Sequence, residues 1–119
     1  MVVVDTSVWI DYFNKSDLLL QLGLNEYDVA THPFILGELA CGSLKNRKNI
    51  LEPLSNLPSI GTISMEEYFM FVEKNNLYGS GLGFVDIHLL ASCLIVDAPL
   101  YTKDKKLLSR AKSFGITYR

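Results

Sequence analysis

Four acidic residues lie within or next to apolar segments, where a carboxylate is unexpected: Asp5, Glu38, Asp86 and Asp104. Asp5 and Asp104 each end a short apolar segment of the kind that forms a buried strand. Asp86 falls in the first turn of an apolar helix that follows a glycine loop. Glu38 interrupts another apolar helix and has no Lys or Arg within one helical turn, so its burial would be costly without a partner. Asp5 either caps the following helix or belongs to a site with the other three acids.

A group of ionised acids within a few ångströms predicts a metal site. Such carboxylates repel one another, which raises some of their pKa values unless a hard cation neutralises them. Oxygen ligands alone favour Mg²⁺ or Mn²⁺, with water completing the shell. The ion lowers the pKa of a bound water, presents hydroxide to a phosphorus atom and offsets charge in the transition state, and two ions could divide these tasks.

Hydroxyl and imidazole side chains near these acids have weaker interpretations. Thr6, Ser7 and Thr102 could orient a carboxylate or the water, or could serve only as capping and turn residues. His32 and His88 are not spaced as a zinc-binding pair, and we interpret both as structural or substrate-edge residues.

Short strands that alternate with helices must position these side chains. Val2–Val4 is a β-branched strand, and Thr6 and Ser7 then begin an amphipathic helix. Further short strands are predicted at residues 27–31, 59–63, 99–102 and 115–118. This alternation indicates an α/β fold with a mostly parallel sheet, in which ligands bind beyond the carboxyl ends of the strands. Asp5 is placed at that edge.

Helices are predicted between the strands, at residues 18–24, 33–40, from about 44 to 54, from Ser64 onward, at 84–96 and after Asp104. Ser64 and Glu67 form a capping-box signature at the start of one of them. That helix has an apolar stripe expected in the core: Met65, Tyr68, Phe69 and Val72. Met70 and Phe71 widen its apolar surface, which indicates either a deeply buried helix or a subunit interface.

The composition of the 119-residue chain, with 49% apolar residues, predicts one domain over residues 1–119 with its own core. No apolar run approaches about 18 residues and Met1 leads straight into a strand, so we expect neither a membrane span nor a secretory signal. Cys41 and Cys93 lie in apolar helical patterns without zinc-like spacing. We expect them to be buried free thiols in a reducing cytoplasm.

The net charge of −2 gives no sign of a polyanion partner, but the distribution of charge does. Six of the eleven Lys and Arg residues fall in the last seventeen positions. This concentration indicates either a solvated helix face or a surface that contacts phosphates. The candidates for substrate binding are Lys103, Lys105, Lys106 and Arg110.

Four segments, taken together and in order, resemble a PIN domain. They are Val2–Trp9, Ile35–Gly42, Gly81–Ser92 and Leu100–Asp104. More narrowly, the chain is similar over its full length to the VapC-type toxins of bacterial and archaeal toxin–antitoxin pairs. Each segment alone is a weak signal, since short patterns such as Asp-Thr-Ser occur widely, whereas the four together are specific.

The resemblance implies a Mg²⁺- or Mn²⁺-dependent endoribonuclease that cuts structured RNA such as tRNA or ribosomal RNA. The family's acidic positions are matched by Asp5, Glu38, Asp86 and Asp104, and its accessory positions by Thr6, Ser7 and Thr102. The resemblance also implies a central, mostly parallel sheet of four to five strands flanked by helices. A homodimer is expected, as is an antitoxin whose C-terminal segment enters the acidic groove.

Two other functions remain alternatives. A dehalogenase-like phosphatase also has an Asp after its first strand, but it usually has a second acid two residues later, where this chain has Ser7. A non-catalytic RNA-binding or assembly module could keep the fold without the chemistry, although all four acids are present here. The glycine-rich segment 79–83 follows a helical pattern rather than a strand, so we interpret it as a flexible loop and not a dinucleotide site.

Overall fold

A parallel sheet centred on the first strand organises the computed structural model, which describes residues 1–14 and 28–118. Its elements are β1 (Val2–Val4), α1 (Thr6–Asn14), β2 (Val29–Ala30), α2 (Pro33–Cys41), α3 (Arg47–Ser55), α4 (Met65–Lys74), α5 (Phe84–Val96), β3 (Leu100–Tyr101) and α6 (Lys105–Ser113). The helix predicted at residues 18–24 lies outside the described residues. None of the helices in the described ranges is long and apolar enough to cross a bilayer.

The sheet has the strand order β2-β1-β3, with both pairs parallel. Two further segments extend it by a single parallel bridge each, Ser59 beside Thr31 and Thr117 beside Leu100. The predicted α/β fold is therefore confirmed, while the strands expected at 59–63 and 115–118 are reduced to bridges. Each of these segments buries only one apolar side chain, Ile60 or Ile116, and so has little surface to hold a longer strand.

β1 and α5 are buried along most of their lengths. All three valines of β1 are buried, as expected for a β-branched strand at the centre of a parallel sheet. α5 has the predicted bounds of 84–96 and buries every residue from Ile87 to Cys93. A helix that is apolar around most of its circumference is typical of a core position.

Local capping signals set the starts of two helices. Ser64 and Glu67 form the predicted capping box of α4, since Ser64 Oγ accepts from the Glu67 N–H at 3.1 Å and Glu67 Oε1 accepts from the Ser64 N–H at 2.9 Å. α2 begins with Pro33 in its first turn, and His32 Nδ1 accepts a hydrogen bond from the Phe34 N–H at 3.0 Å. The first of these caps can be predicted from the sequence. The second cannot, because it depends on the buried position of His32.

The predicted core stripe of α4 is wrong for two of its members. Met65 and Phe69 are exposed, Tyr68 and Val72 are half-buried, and none of the ten residues of this fully described helix is buried. Phe71, which lay outside the stripe, packs against the core instead. The helix is therefore rotated relative to the predicted stripe, which excludes deep burial and leaves apolar side chains on the surface.

The two cysteines have different environments. Cys93 is buried in α5 as predicted, and burial raises its pKa to about 12. Cys41 is exposed at the end of α2, which corrects the expectation that both thiols are buried. The apolar pattern of α2 fails there because Gly42 ends the helix at the surface.

His32 and His88 belong to a buried aromatic cluster, which supports a structural role. His32 Nε2 lies 3.2 Å from Ser92 Oγ, and the His88 ring stacks on Tyr68 with centroids 4.7 Å apart. Neither nitrogen of His88 has a hydrogen-bond partner among the described residues. Burial, and secondarily the charge of His88, lowers the pKa of His32 to about 4.

We expect acid to destabilise this fold through His32. Its pKa of about 4 lies below the ordinary value of about 6.5, so the unfolded chain binds more protons between these values. The free energy of unfolding, measured by urea denaturation, should therefore fall as the pH decreases from about 6.5 towards 4. His32→Asn keeps a side chain that can cap α2 but does not titrate, and should show a shallower pH dependence. Equal slopes for the two proteins would contradict this assignment.

Candidate active site

The carboxyl edge of the sheet brings the four acids into one region. Asp5 follows β1 directly and Asp104 follows β3, and parallel neighbouring strands end at the same edge. Asp86 lies in the first turn of α5. Glu38 lies on α2, which follows β2 on the other side of β1.

Asp5 is the buried member of the group, with only 5% of its surface exposed. Its Oδ2 accepts hydrogen bonds from Thr102 Oγ1 at 2.7 Å and Ser7 Oγ at 2.8 Å. The two hydroxyls in turn accept from backbone N–H groups, that of Asp104 on Thr102 and that of Lys103 on Ser7, both at 3.1 Å. Ser7 and Thr102 therefore orient the carboxylate and also fix the turn after β3.

Glu38 is exposed rather than buried, so the cost expected from its apolar surroundings does not arise. Its Oε1 accepts a hydrogen bond from Thr6 Oγ1 at 2.8 Å, which links α2 to the start of α1. The side chain also lies between two surface grooves of about 540 and 290 Å³. Thr6 thus contacts one of the four acids directly, and its accessory role remains a prediction.

Asp86 and Asp104 are each held by the start of their own helix. Asp86 Oδ2 accepts from the Gly83 N–H at 3.2 Å, and Asp104 Oδ1 accepts from the Leu107 N–H at 2.9 Å as the N-cap of α6. These bonds fix the side chains where the helices leave the sheet. Capping and a role in the site are therefore compatible for both residues.

The charges of the four acids act on one another. The pKa of Asp86 is raised, first by burial and then by the negative charges of Asp5, Asp104 and Glu38, against a lowering by the Gly83 N–H. As the side chains stand, no three His, Cys, Asp or Glu residues among those described form a group that could hold a metal ion. The acids are thus near enough to couple electrostatically but are not drawn together around a common point.

One oxygen of each carboxylate is used in these hydrogen bonds. Within the described part of the chain, the other oxygen accepts none: Asp5 Oδ1, Glu38 Oε2, Asp86 Oδ1 and Asp104 Oδ2. The anchored oxygen restricts the side chain, and the other remains available to an external group. This arrangement suits a cation that is bound from outside the protein.

The predicted substrate-binding residues lie beside Asp104. Lys105 and Lys106 are exposed in the first turn of α6, and Arg110 is half-buried further along that helix. Lys103 forms an ion pair with Asp11 of α1. The sequence analysis did not find Asp11, because no local pattern connects residues that are 92 positions apart.

A family comparison agrees with this geometry. The sequence matches the PIN domain family over residues 2–113, and the chain belongs to that family. It is 38% identical over 117 residues to "Ribonuclease VapC32" of Mycobacterium tuberculosis, an alignment that covers 98% of this chain and 94% of the relative. Against "Ribonuclease VapC1" of Methanocaldococcus jannaschii it is 27% identical over 115 residues, with coverages of 97% and 84%. These relatives identify it as a VapC-type PIN-domain protein.

A structural comparison confirms the fold alone. The crystal structure of PAE2754 from Pyrobaculum aerophilum has a TM-score of 0.61 at 15% sequence identity, and covers 92% of this chain and 78% of the other. The family and fold that the four segments predict are therefore confirmed. The roles of the individual acids remain a prediction.

The hydroxyl of Thr102 should stabilise the fold through Asp5. Thr102→Val keeps the volume but removes a donor to a buried carboxylate, which should lower the free energy of unfolding by about 1–3 kcal/mol. Thr102→Ser keeps the hydroxyl and should lose less. Urea denaturation in EDTA measures both. In an Asp5→Ala background the advantage of Ser over Val should disappear, and its persistence would show that the hydroxyl acts elsewhere.

Proposed function

We propose that this protein is a Mg²⁺- or Mn²⁺-dependent endoribonuclease and the toxin of a toxin–antitoxin pair. The observation that carries the proposal is the set of four acids at the carboxyl edge of the sheet, where burial first, and then the charges of the other three acids, raise the pKa of Asp86. The two relatives are named as ribonucleases. One or two ions held by Asp5, Glu38, Asp86 and Asp104 would serve the hydrolysis of RNA phosphodiester bonds.

The chemistry of the donor set fits a hard divalent cation. The candidate ligands are carboxylate oxygens, without a thiolate or imidazole among them, and Mg²⁺ and Mn²⁺ prefer such oxygen ligands. Four unengaged carboxylate oxygens, one from each acid, support the assignment. For the four carboxylates to hold one ion together, the exposed side chains of Glu38 and Asp104 would have to turn towards the more restricted Asp5.

Each acid then has a defined part in the proposed reaction. A bound ion supplies an activated water and offsets the charge that develops on the phosphoryl group. The side chain of Asp5 is held in place at the site, because two hydroxyls donate hydrogen bonds to its Oδ2. Glu38 is positioned by Thr6, and Asp86 by the glycine loop. The carboxylates must be ionised to act as ligands, so the pKa of Asp86, raised mainly by burial, makes its protonation compete with the ion.

Asp86→Asn should abolish metal-dependent RNA cleavage while the fold is retained. The variant removes a ligand charge but keeps an oxygen that can accept from Gly83, and it removes an acid whose pKa is raised by burial and, less strongly, by the charges of the other three acids. We expect the rate on unfractionated tRNA to fall at least about 100-fold, and the melting temperature in EDTA to be unchanged or higher.

The matched control is Asp97→Asn at the other end of α5. Asp97 has φ 54°, which Asn also tolerates, so this variant should cleave at the parent rate. EDTA should stop the parent enzyme and Mn²⁺ should restore it. Equal activity of Asp86→Asn and the parent would refute the assignment of the acid, and a parent that binds RNA but never cuts it would favour the non-catalytic module.

RNA and an antitoxin are the partners that we propose. Lys105, Lys106 and Arg110 would contact the RNA backbone beside Asp104, with Lys103 held by its ion pair with Asp11. An antitoxin segment that enters the acidic groove would compete with RNA there. Both partners suit a protein that acts in the cytoplasm.

A homodimer that forms through α4 and α5 would cover the apolar side chains that α4 leaves on the surface. Met70 and Ile95 are each 66% exposed and line one groove of about 400 Å³. Glu67 and Lys74 lie at the same groove. In a two-fold contact these opposite charges would meet their counterparts on a second copy, which supports a self-complementary interface.

Ile95→Glu should convert the proposed dimer into a monomer, because it places a charge in the apolar centre of the contact. Sedimentation velocity measures the change. Tyr78→Glu is the control, since Tyr78 is 62% exposed but does not line the groove. Identical sedimentation of Ile95→Glu and the parent would contradict the interface. Phe71 is less suitable as a probe, because its ring stacks on Phe114 and its loss would damage the core.

A further inference from the structure

The glycine loop before α5 holds a lysine of α6 in a specific place. A Cβ atom added to Gly81 would lie 2.9 Å from Lys106 Nζ, 3.3 Å from its Cδ and 3.4 Å from its Cε. The side chain of Lys106 therefore runs over the backbone of Gly81, in space that only a glycine leaves open. Gly81 also has φ +84°, which disfavours any other residue.

This contact joins the two elements that carry Asp86 and Asp104. The loop ends at Gly83, whose N–H donates to the carboxylate of Asp86. Lys106 lies two positions after Asp104 in the first turn of α6. Lys106 thus contacts the loop that precedes Asp86 from the first turn of the helix that Asp104 caps.

Lys106 is not neutralised at this position. Among the described residues, its ammonium group forms no ion pair within 4.0 Å, whereas Lys103 pairs with Asp11. Its stem lies against Gly81, so the charge is held where the loop before Asp86 meets the helix that follows Asp104. A positive charge held in this way is suited to a phosphate group that approaches the same acids.

We propose that Lys106, seated on Gly81, contacts the phosphodiester that the acids cut, and that Gly81 is a positioning residue for it. The inference rests on the proposed nuclease function and assigns one of its contacts. The charge on the phosphoryl group increases in the transition state, so an ammonium fixed beside it lowers the barrier more than a mobile surface charge does. Lys106 would therefore affect kcat as well as RNA affinity.

The test compares alanine substitutions at two glycines of the same loop. Gly79 and Gly81 both have positive φ, +69° and +84°, so both substitutions strain the backbone in a similar way. Only the Cβ at position 81 meets Lys106, since nothing lies within 4 Å of a Cβ at Gly79. With unfractionated tRNA and Mg²⁺, Gly81→Ala should lower kcat at least about tenfold, and Gly79→Ala should stay within about twofold of the parent.

Charge variants on α6 complete the experiment. Lys106→Gln should reproduce the loss of Gly81→Ala, and the double variant should lose no more than either single one, because both remove the same contact. Lys112→Gln, an exposed lysine in the last turn of α6, should cleave like the parent. Melting temperatures show whether each variant retains its fold. Mn²⁺ titrations show whether its four acids still bind the ion. If Gly81→Ala does not fold, Lys106→Gln decides alone, since its side chain is exposed.

The outcomes separate the two proposals. A parent that cleaves tRNA while Lys106→Gln cleaves it equally fast overturns the role of Lys106 and leaves the nuclease function standing. Additive losses in the double variant overturn the positioning role of Gly81. A parent that cleaves no RNA with either Mg²⁺ or Mn²⁺ overturns the proposed function, and the inference with it.

Discussion

The buried carboxylate of Asp5 is the constraint on which the rest of the site depends. It lies at the end of the central strand, where an ionised group survives only if hydrogen bonds replace the lost water. Ser7 and Thr102 supply those bonds, and each hydroxyl also accepts from the backbone after β3. Satisfying one buried charge therefore fixes the start of α1, the end of β3 and the position of Asp104. The site and the sheet edge are stabilised by the same contacts.

Local patterns explain what could be predicted from the sequence. The three valines of β1, the continuous apolar run of α5 and the Ser64–Glu67 capping box each encode their structure within a few residues, and the structure has all three. The four acids could be selected because each follows or interrupts an apolar segment, and parallel strands must end at a common edge. Their convergence at that edge is thus a consequence of topology.

What the sequence did not reveal depends on contacts between distant residues. The predicted stripe of α4 is wrong for two of its members because helical periodicity identifies an apolar face but not the element that packs on it. Phe71 stacks on Phe114, which is distant in sequence. Cys41 has an apolar neighbourhood in sequence yet lies at an exposed helix end. The Lys103–Asp11 pair and the Lys106–Gly81 contact join elements that no local pattern connects.

The same long-range contacts decide whether the acid group stays negative. Three lysines lie within three residues of Asp104, close enough in sequence for one of them to be expected to neutralise the group. None of the four acids forms an ion pair within the described residues, because Asp11 takes Lys103 and the backbone of Gly81 holds the stem of Lys106. The negative charges of Asp5, Asp104 and Glu38 consequently add to burial, the larger cause, in raising the pKa of Asp86. Negative charges that act on one another in this way are unfavourable, and the divalent ion that we propose would relieve their repulsion.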